Sequence, residues 1–212
     1  MLSKKINVPS EATCRRIMSD MGMLENIIAH SLKVYRVALF LTDRLGRPGL
    51  NRELIGAAAL LHDITKTRSF RTLEDHAETG ARLLTDLGYP EVARIVGQHV
   101  RLNRYARTSP TLTNAEIVNY SDKRVLHDRI VSLRERIGYS LEKYGSGPEQ
   151  KQKILILMEK TETLEKRLFS GLPFSPGDLG RLLPTASALR GCQGFPHGAW
   201  PHNRPSAASG HG

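Results

Sequence analysis

Several histidines and aspartates sit where an apolar core would ordinarily exclude them. His30 lies in the helical seam of Ile27, Val34, Val37 and Leu41. His62 follows Ile55 and Ala59 at helical spacing, and Asp63 stands about 100° further round. His99 shares a face with Val92, Ile95 and Val96, and Asp122 falls one turn after Val118. An ionised carboxylate on an apolar face is costly unless it is paired or bound to a metal. Alone, an inward His is more often a hydrogen-bonded core residue, and an inward Asp can cap a helix or pair with Arg. The adjacent pair His62-Asp63, with His30 before it and Asp122 after it, favours convergence on a divalent cation. Such an ion lowers the pKa of a bound water and polarises a phosphoryl oxygen. Asp63 is then suited to orient that water or accept its proton.

Two basic features could complete a phosphate site. Lys66 follows Asp63 by one turn and could neutralise charge on a phosphate; the alternative is a solvated Lys near a helix end. Arg94, Arg101, Arg104 and Arg107 lie in a stretch, Arg94 to Pro110, with no acidic residue. That stretch reads as a phosphate- or nucleotide-holding loop, with Arg101 and Arg104 foremost, or as a solvated basic surface. His127 is read as a non-ligand, and His197, His202 and His211 as tail residues without a role.

The elements that must position these side chains read as helices. The seam from Met23 to Asp43 is broken by Gly46, Pro48 and Gly49. Asn51 predicts an N-cap for a helix to about Leu61. A third segment is expected over Leu73–Leu87, and a fourth begins at Pro90, a residue suited to the first helical turn. Leu102–Pro110 reads as a loop, and Thr113 or Asn114 as the cap of a fifth helix. Ile130, Leu133, Ile137 and Leu141 repeat along Leu126–Leu141; Ile154, Leu157, Thr161, Leu164 and Leu168 repeat after Gly145-Ser146-Gly147-Pro148. These predict an antiparallel helical hairpin over about 127–169, packed on a domain core at about 24–126. The last 42 residues hold 8 of the 18 Gly and 6 of the 11 Pro, so 171–212 is expected as a flexible, mostly irregular tail with one short helix starting at Ser175-Pro176.

Bulk properties narrow the partners. The 212 residues carry 31 Lys+Arg against 21 Asp+Glu, a net charge of +10 that suggests an anionic partner. Two cysteines, Cys14 and Cys192, allow neither a disulfide framework nor a Cys-rich zinc motif. The longest apolar run is too short to span a bilayer, and no apolar signal core opens the chain, so a cytoplasmic location is expected. Only 6% of residues are aromatic and no aromatic-interleaved basic motif occurs, which argues against nucleic acid.

The ordered set His30, then Leu60-Leu61-His62-Asp63-Ile64-Thr65-Lys66, then Asp122 resembles the H…HD…D signature of HD-domain metal-dependent phosphohydrolases, in particular the HDIG subgroup. The resemblance continues through His76-Ala77-Glu78-Thr79-Gly80-Ala81, Ile95-Val96-Gly97-Gln98-His99 and Asn119-Tyr120-Ser121-Asp122-Lys123-Arg124, covering about Leu24 to Arg124. It implies an all-α helical bundle and makes His30, His62, Asp63 and Asp122 ligands of a first metal. In two-metal members Asp63 bridges, and His76 and His99 hold the second ion. Some of those relatives carry two consecutive histidines where this chain has His99-Val100, so the second site is one ligand short. Thr65 stands where the subgroup has Gly. Imidazoles with carboxylates suit Mn²⁺, Fe²⁺, Co²⁺, Ni²⁺ or Zn²⁺ better than Mg²⁺. The expectation is therefore a phosphomonoesterase or phosphodiesterase with one or two divalent ions, catalytic Asp63 and Lys66, and a nucleotide or other small phosphorylated substrate. A homodimer is among the expected partners, and a membrane is not. The alternatives are a di-iron oxygenase on the same fold and a nucleotide-binding regulatory module without turnover.

Overall fold

The computed structural model describes residues 6–103 and 111–183. Helix α1 (Glu11–Asp20) is capped by Ser10, whose hydroxyl accepts from the Thr13 amide. Helix α2 (Glu25–Leu45) ends at Gly46, whose left-handed φ of 53° is strain-free only without a Cβ. Asn51 caps α3 (Arg52–Leu61) as expected, accepting from the Leu54 amide. Every residue from Leu54 to Leu61 is buried, so α3 is a central rod rather than a surface helix. It packs against α1, α2, α6 (Pro90–Val96) and α7 (Asn114–Lys123). Its C-terminus therefore delivers His62 and Asp63 to the middle of the molecule.

The segment expected over Leu73–Leu87 is one helix, and a further short helix precedes it. Helix α4 (Lys66–Thr72) stops at Leu73, which adopts a left-handed φ of 57°. Helix α5 (His76–Asp86) then restarts behind Asp75, whose carboxylate accepts from the Ala77 and Glu78 amides. The sequence Asp75-His76-Ala77-Glu78 is itself a helix-start pattern, and it places His76 at the first position of α5. Helix α5 covers α6, and Gly80 permits the contact: a Cβ there would lie 3.3 Å from Ile64 and 3.4 Å from Val96. Thr113 caps α7 in a full capping box with Glu116.

The Leu126–Leu141 segment also departs from expectation. Its start is a two-residue antiparallel ladder, β1 (Val125–Leu126) with β2 (Arg129–Ile130), turned through His127 at φ 56°. Ser132 then caps α8 (Leu133–Tyr144). The hairpin partner α9 (Pro148–Phe169) packs on α8 and α7, burying Met158, Thr161, Leu164 and Leu168. Residues 176–178 form a 3₁₀ turn leading into α10 (Leu179–Leu182), and Leu179 is fully buried. One cation joins these parts. The Arg124 guanidinium donates to Val131 O, the Tyr120 hydroxyl, Glu165 and Pro176 O. Removing it would leave the half-buried Glu165 carboxylate without its cation and would take a donor from two carbonyls. The fold of the described residues is thus all-α apart from one short ladder. None of their helices is long and apolar enough to cross a membrane. Residues 184–212, the greater part of the expected tail, lie outside the described residues.

Candidate metal centre

His30 from α2, His62 and Asp63 from the end of α3, His76 from the start of α5, His99 just beyond α6 and Asp122 from α7 meet in one place. They form two groups, His30, His62 and Asp122 on one side and Asp63, His76 and His99 on the other. Within each group the ligand atoms lie within 4.8 Å of one another.

Asp63 joins the groups. Its Oδ2 lies 3.5 Å from His62 Nε2 and 4.0 Å from His30 Nε2. Its Oδ1 lies 3.3 Å from His76 Nε2 and 3.4 Å from His99 Nε2. Asp122 Oδ1 closes the first group at 3.1 Å from His30 Nε2 and 3.8 Å from His62 Nε2.

The backbone sets which ring nitrogen faces inward. His30 Nδ1 lies 2.9 Å from His127 O, His62 Nδ1 2.8 Å from Ala59 O, and His99 Nδ1 2.7 Å from Val96 O. A carbonyl accepts a hydrogen bond and cannot donate one, so each Nδ1 carries a proton, and each ring in its neutral form would present the Nε2 lone pair to the centre. His62 Nε2 and Asp63 Oδ1 are buried without a hydrogen-bond partner. A buried lone pair with no donor is expensive in a closed core. Imidazole nitrogens and carboxylates, deprotonated and aimed inward, are the donor set a divalent transition metal takes.

Electrostatics agree. Burial pushes the Asp63 carboxyl up, but the neighbouring His62 and Lys66 charges outweigh it and hold the group well below the usual range. Asp122 is likewise raised by burial and held low by His30 and Lys123. Burial lowers His62, yet Asp63 and Asp122 carry its pKa above the ordinary histidine value. Burial keeps His99 below it, and so neutral.

Lys66 donates to Asp63 Oδ2 at 2.8 Å, so the structure brings it to the centre. Arg101 is exposed and is not among the residues lining the two described cavities beside the cluster. Arg94 points away and pairs with Glu91. Arg104 and Arg107 lie outside the described residues. Thr65 is accommodated in place of Gly because its φ of −103° needs no glycine. Its hydroxyl donates to His76 O at 2.9 Å and so pins the start of α5.

Three participants escaped sequence reading. His127 contributes its carbonyl rather than its ring. Lys123 sits beside Asp122 at 3.6 Å and donates to His99 O. Arg136, on α8, reaches back over the centre and lines both cavities next to it. The Asp122-Lys123 adjacency was a signal for the second. Nothing local in the sequence signals the third, because it depends on how the hairpin docks.

Residues 27–125 match the family model of the HD domain. The matched segment contains all six side chains of the two groups that could hold a metal. A tRNA (cytidine(56)-2'-O)-methyltransferase of Picrophilus torridus is 29% identical over 140 residues, covering 60% of this chain. The chain spans about 40% of that relative's length. The crystal structure of a predicted HD superfamily hydrolase from an uncultured Thermotogales bacterium superposes with a TM-score of 0.45 at 20% identity. That alignment covers 77% of this chain and 94% of the other.

Proposed function

We propose that the protein is a phosphohydrolase that uses two divalent ions and cleaves a phosphate ester of a small molecule, nucleotides included. The observation that carries this reading is the division of labour at Asp63, whose two oxygens face two different histidine pairs. His30, His62 and Asp122 would hold one ion, His76 and His99 the other, with Asp63 shared. Bound there, the ions would supply Lewis acidity and an ionisable water. Asp63 orients the attacking water, while Lys66 and Arg136 balance the charge of the phosphate. A three-ligand second group also answers the Val100 substitution: Asp63, His76 and His99 leave positions open for water and substrate.

The cavity beside the cluster, about 390 Å³, suits a small molecule better than a polynucleotide. For that reason the relative's name for a tRNA-modifying activity is not carried over. The same six side chains would also serve a di-iron oxygenase.

Metal analysis of untagged protein followed by a phosphoester panel separates these readings. Two ions per chain and hydrolysis of at least one phosphomonoester or diester is the expected result. Two irons with oxygen consumption and no phosphate release would replace it with the oxygenase. Nucleotide binding without turnover would leave a regulatory module.

A further inference from the structure

The cavity over the cluster has two unlike ends. At the metal end stand Lys66, Lys123 and Arg136. Lys66 and Lys123 are already engaged by Asp63 and by Asp122 and His99 O. Arg136 is not. Its half-buried guanidinium has no hydrogen bond or ion pair among the described residues, and its Nε is buried without a partner. Its charge is felt at Asp122 and Lys123, and the Tyr139 ring lies 5.9 Å away. A guanidinium near a carboxylate but hydrogen-bonded to none, beside a candidate metal centre, is available for an anion in a planar two-pronged grip.

The far wall is hydrocarbon: Ile137, Ile154, Leu157 and Met158 from the helical hairpin. Four hydroxyls interrupt the lining, and three of them donate back to their own helices. Ser69 Oγ bonds Lys66 O, Ser140 Oγ bonds Arg136 O, and Thr161 Oγ1 bonds Leu157 O, which leaves the Tyr144 hydroxyl. No Asn, Gln, Asp or Glu lines that wall. A nucleobase buried there would have the Tyr144 hydroxyl for one polar group and would leave the rest of its polar edge unpaired, a loss that hydrocarbon does not suffer.

We propose that this cavity takes a phosphate monoester of an apolar alcohol. Arg136 grips the phosphate, and Ile137, Ile154, Leu157 and Met158 receive the hydrocarbon. This rests on the phosphohydrolase reading and names its substrate class. In the reaction, water oxygen bonds to phosphorus and the phosphorus–oxygen bond to the alcohol breaks. The alcohol departs with a proton from the water, leaving inorganic phosphate. The apolar wall holds the alcohol while the cations hold the phosphate, so each end of the substrate meets its own chemistry.

The test uses the full chain loaded with Mn²⁺ and a series of methyl, butyl and hexyl phosphates beside AMP. Each added methylene should raise kcat/KM about fourfold, which is the burial of about 0.8 kcal/mol of hydrocarbon. Hexyl phosphate should exceed AMP. Leu157→Gln should flatten the chain-length slope, lowering kcat/KM for hexyl phosphate at least tenfold more than for methyl phosphate. Arg136→Met should weaken every member of the series about tenfold without altering the slope, with partial rescue by Arg136→Lys. Calorimetry with methyl- and hexylphosphonate, which are not hydrolysed, should repeat both patterns as binding constants.

Hydrolysis with no dependence on chain length, or with AMP preferred tenfold, overturns the apolar-alcohol assignment and leaves the phosphohydrolase intact. Failure to cleave any phosphate ester overturns both.

Discussion

The two halves of the metal centre are built to different standards. In the half made by His30, His62 and Asp122, both imidazoles come from long or fully buried helices and both Nδ1 atoms are pinned to carbonyls. In the half made by Asp63, His76 and His99, only His99 is pinned in this way. His76 stands at the first turn of α5 with 23% of its side chain exposed, and no hydrogen bond among the described residues holds its Nδ1. Restricting a ligand before the metal arrives removes an entropic cost from binding. The first half is thus prepared in advance, and the second is completed by whatever occupies it. On the two-ion reading proposed above, the first group would hold its ion more tightly than the second.

The largest break in this comparison comes from the residue the halves share. Asp63→Ala should remove both ions and lower kcat roughly 1,000-fold, the loss of several kcal/mol of charge stabilisation. Metal content by mass spectrometry and phosphate release would check it; retained activity would exclude the site. Next come the single-sided changes. His62→Gln should weaken the tighter ion about 100-fold, and His76→Gln only the weaker one, by about tenfold, in a two-phase Mn²⁺ titration. Equal effects on both phases would erase the distinction.

Thr65→Val probes the second half alone. It deletes the hydroxyl that holds the start of α5, so the weaker phase should loosen about tenfold while the tighter phase stays put. The smallest effect is on the metal-free protein's stability. His62 has a pKa raised above its unfolded value by Asp63 and Asp122, despite burial. Its contribution is therefore complete below about pH 6.5 and lost as pH rises through the folded pKa. Asp63 and Asp122 are shifted the other way: their contribution is present above about pH 4 and lost on further acidification. The Tm of metal-free protein should fall above pH 6.5 by a few degrees, about 2–4 °C per kcal/mol. Bound metal displaces the His62 proton and should cancel that decline.

Much of this centre was legible because its ligands are misfits at their own positions. His30, His62 and Asp122 interrupt apolar faces, and a sequence pattern exposes such interruptions directly. Helix ends were legible where capping chemistry is local, as at Asn51, Pro90 and Thr113. Helix α4 went unread, and its stop at Leu73 requires a left-handed non-glycine residue, which no propensity favours. The Val125–Ile130 ladder was missed because two-residue strands carry no periodicity. Helix α1 went unread although Ser10 caps it locally. The basic stretch is described only in part: Arg94 pairs with Glu91, Arg101 is exposed, and Arg104 and Arg107 lie outside the described residues.

The sequence by itself determined the all-α class, the central apolar helix and the chemical types of the six metal-facing side chains, because these depend on periodicity and on the energetic misfit of polar groups among apolar ones. Only the tertiary structure decided that Asp63 shares its oxygens between two histidine pairs. It also decided that Arg136 arrives over the cluster and that the hairpin lays a hydrocarbon wall opposite. Those are distances between residues far apart in the chain, set by how α8 and α9 pack on α7, and packing of that kind is fixed by the sum of many contacts rather than by any local pattern.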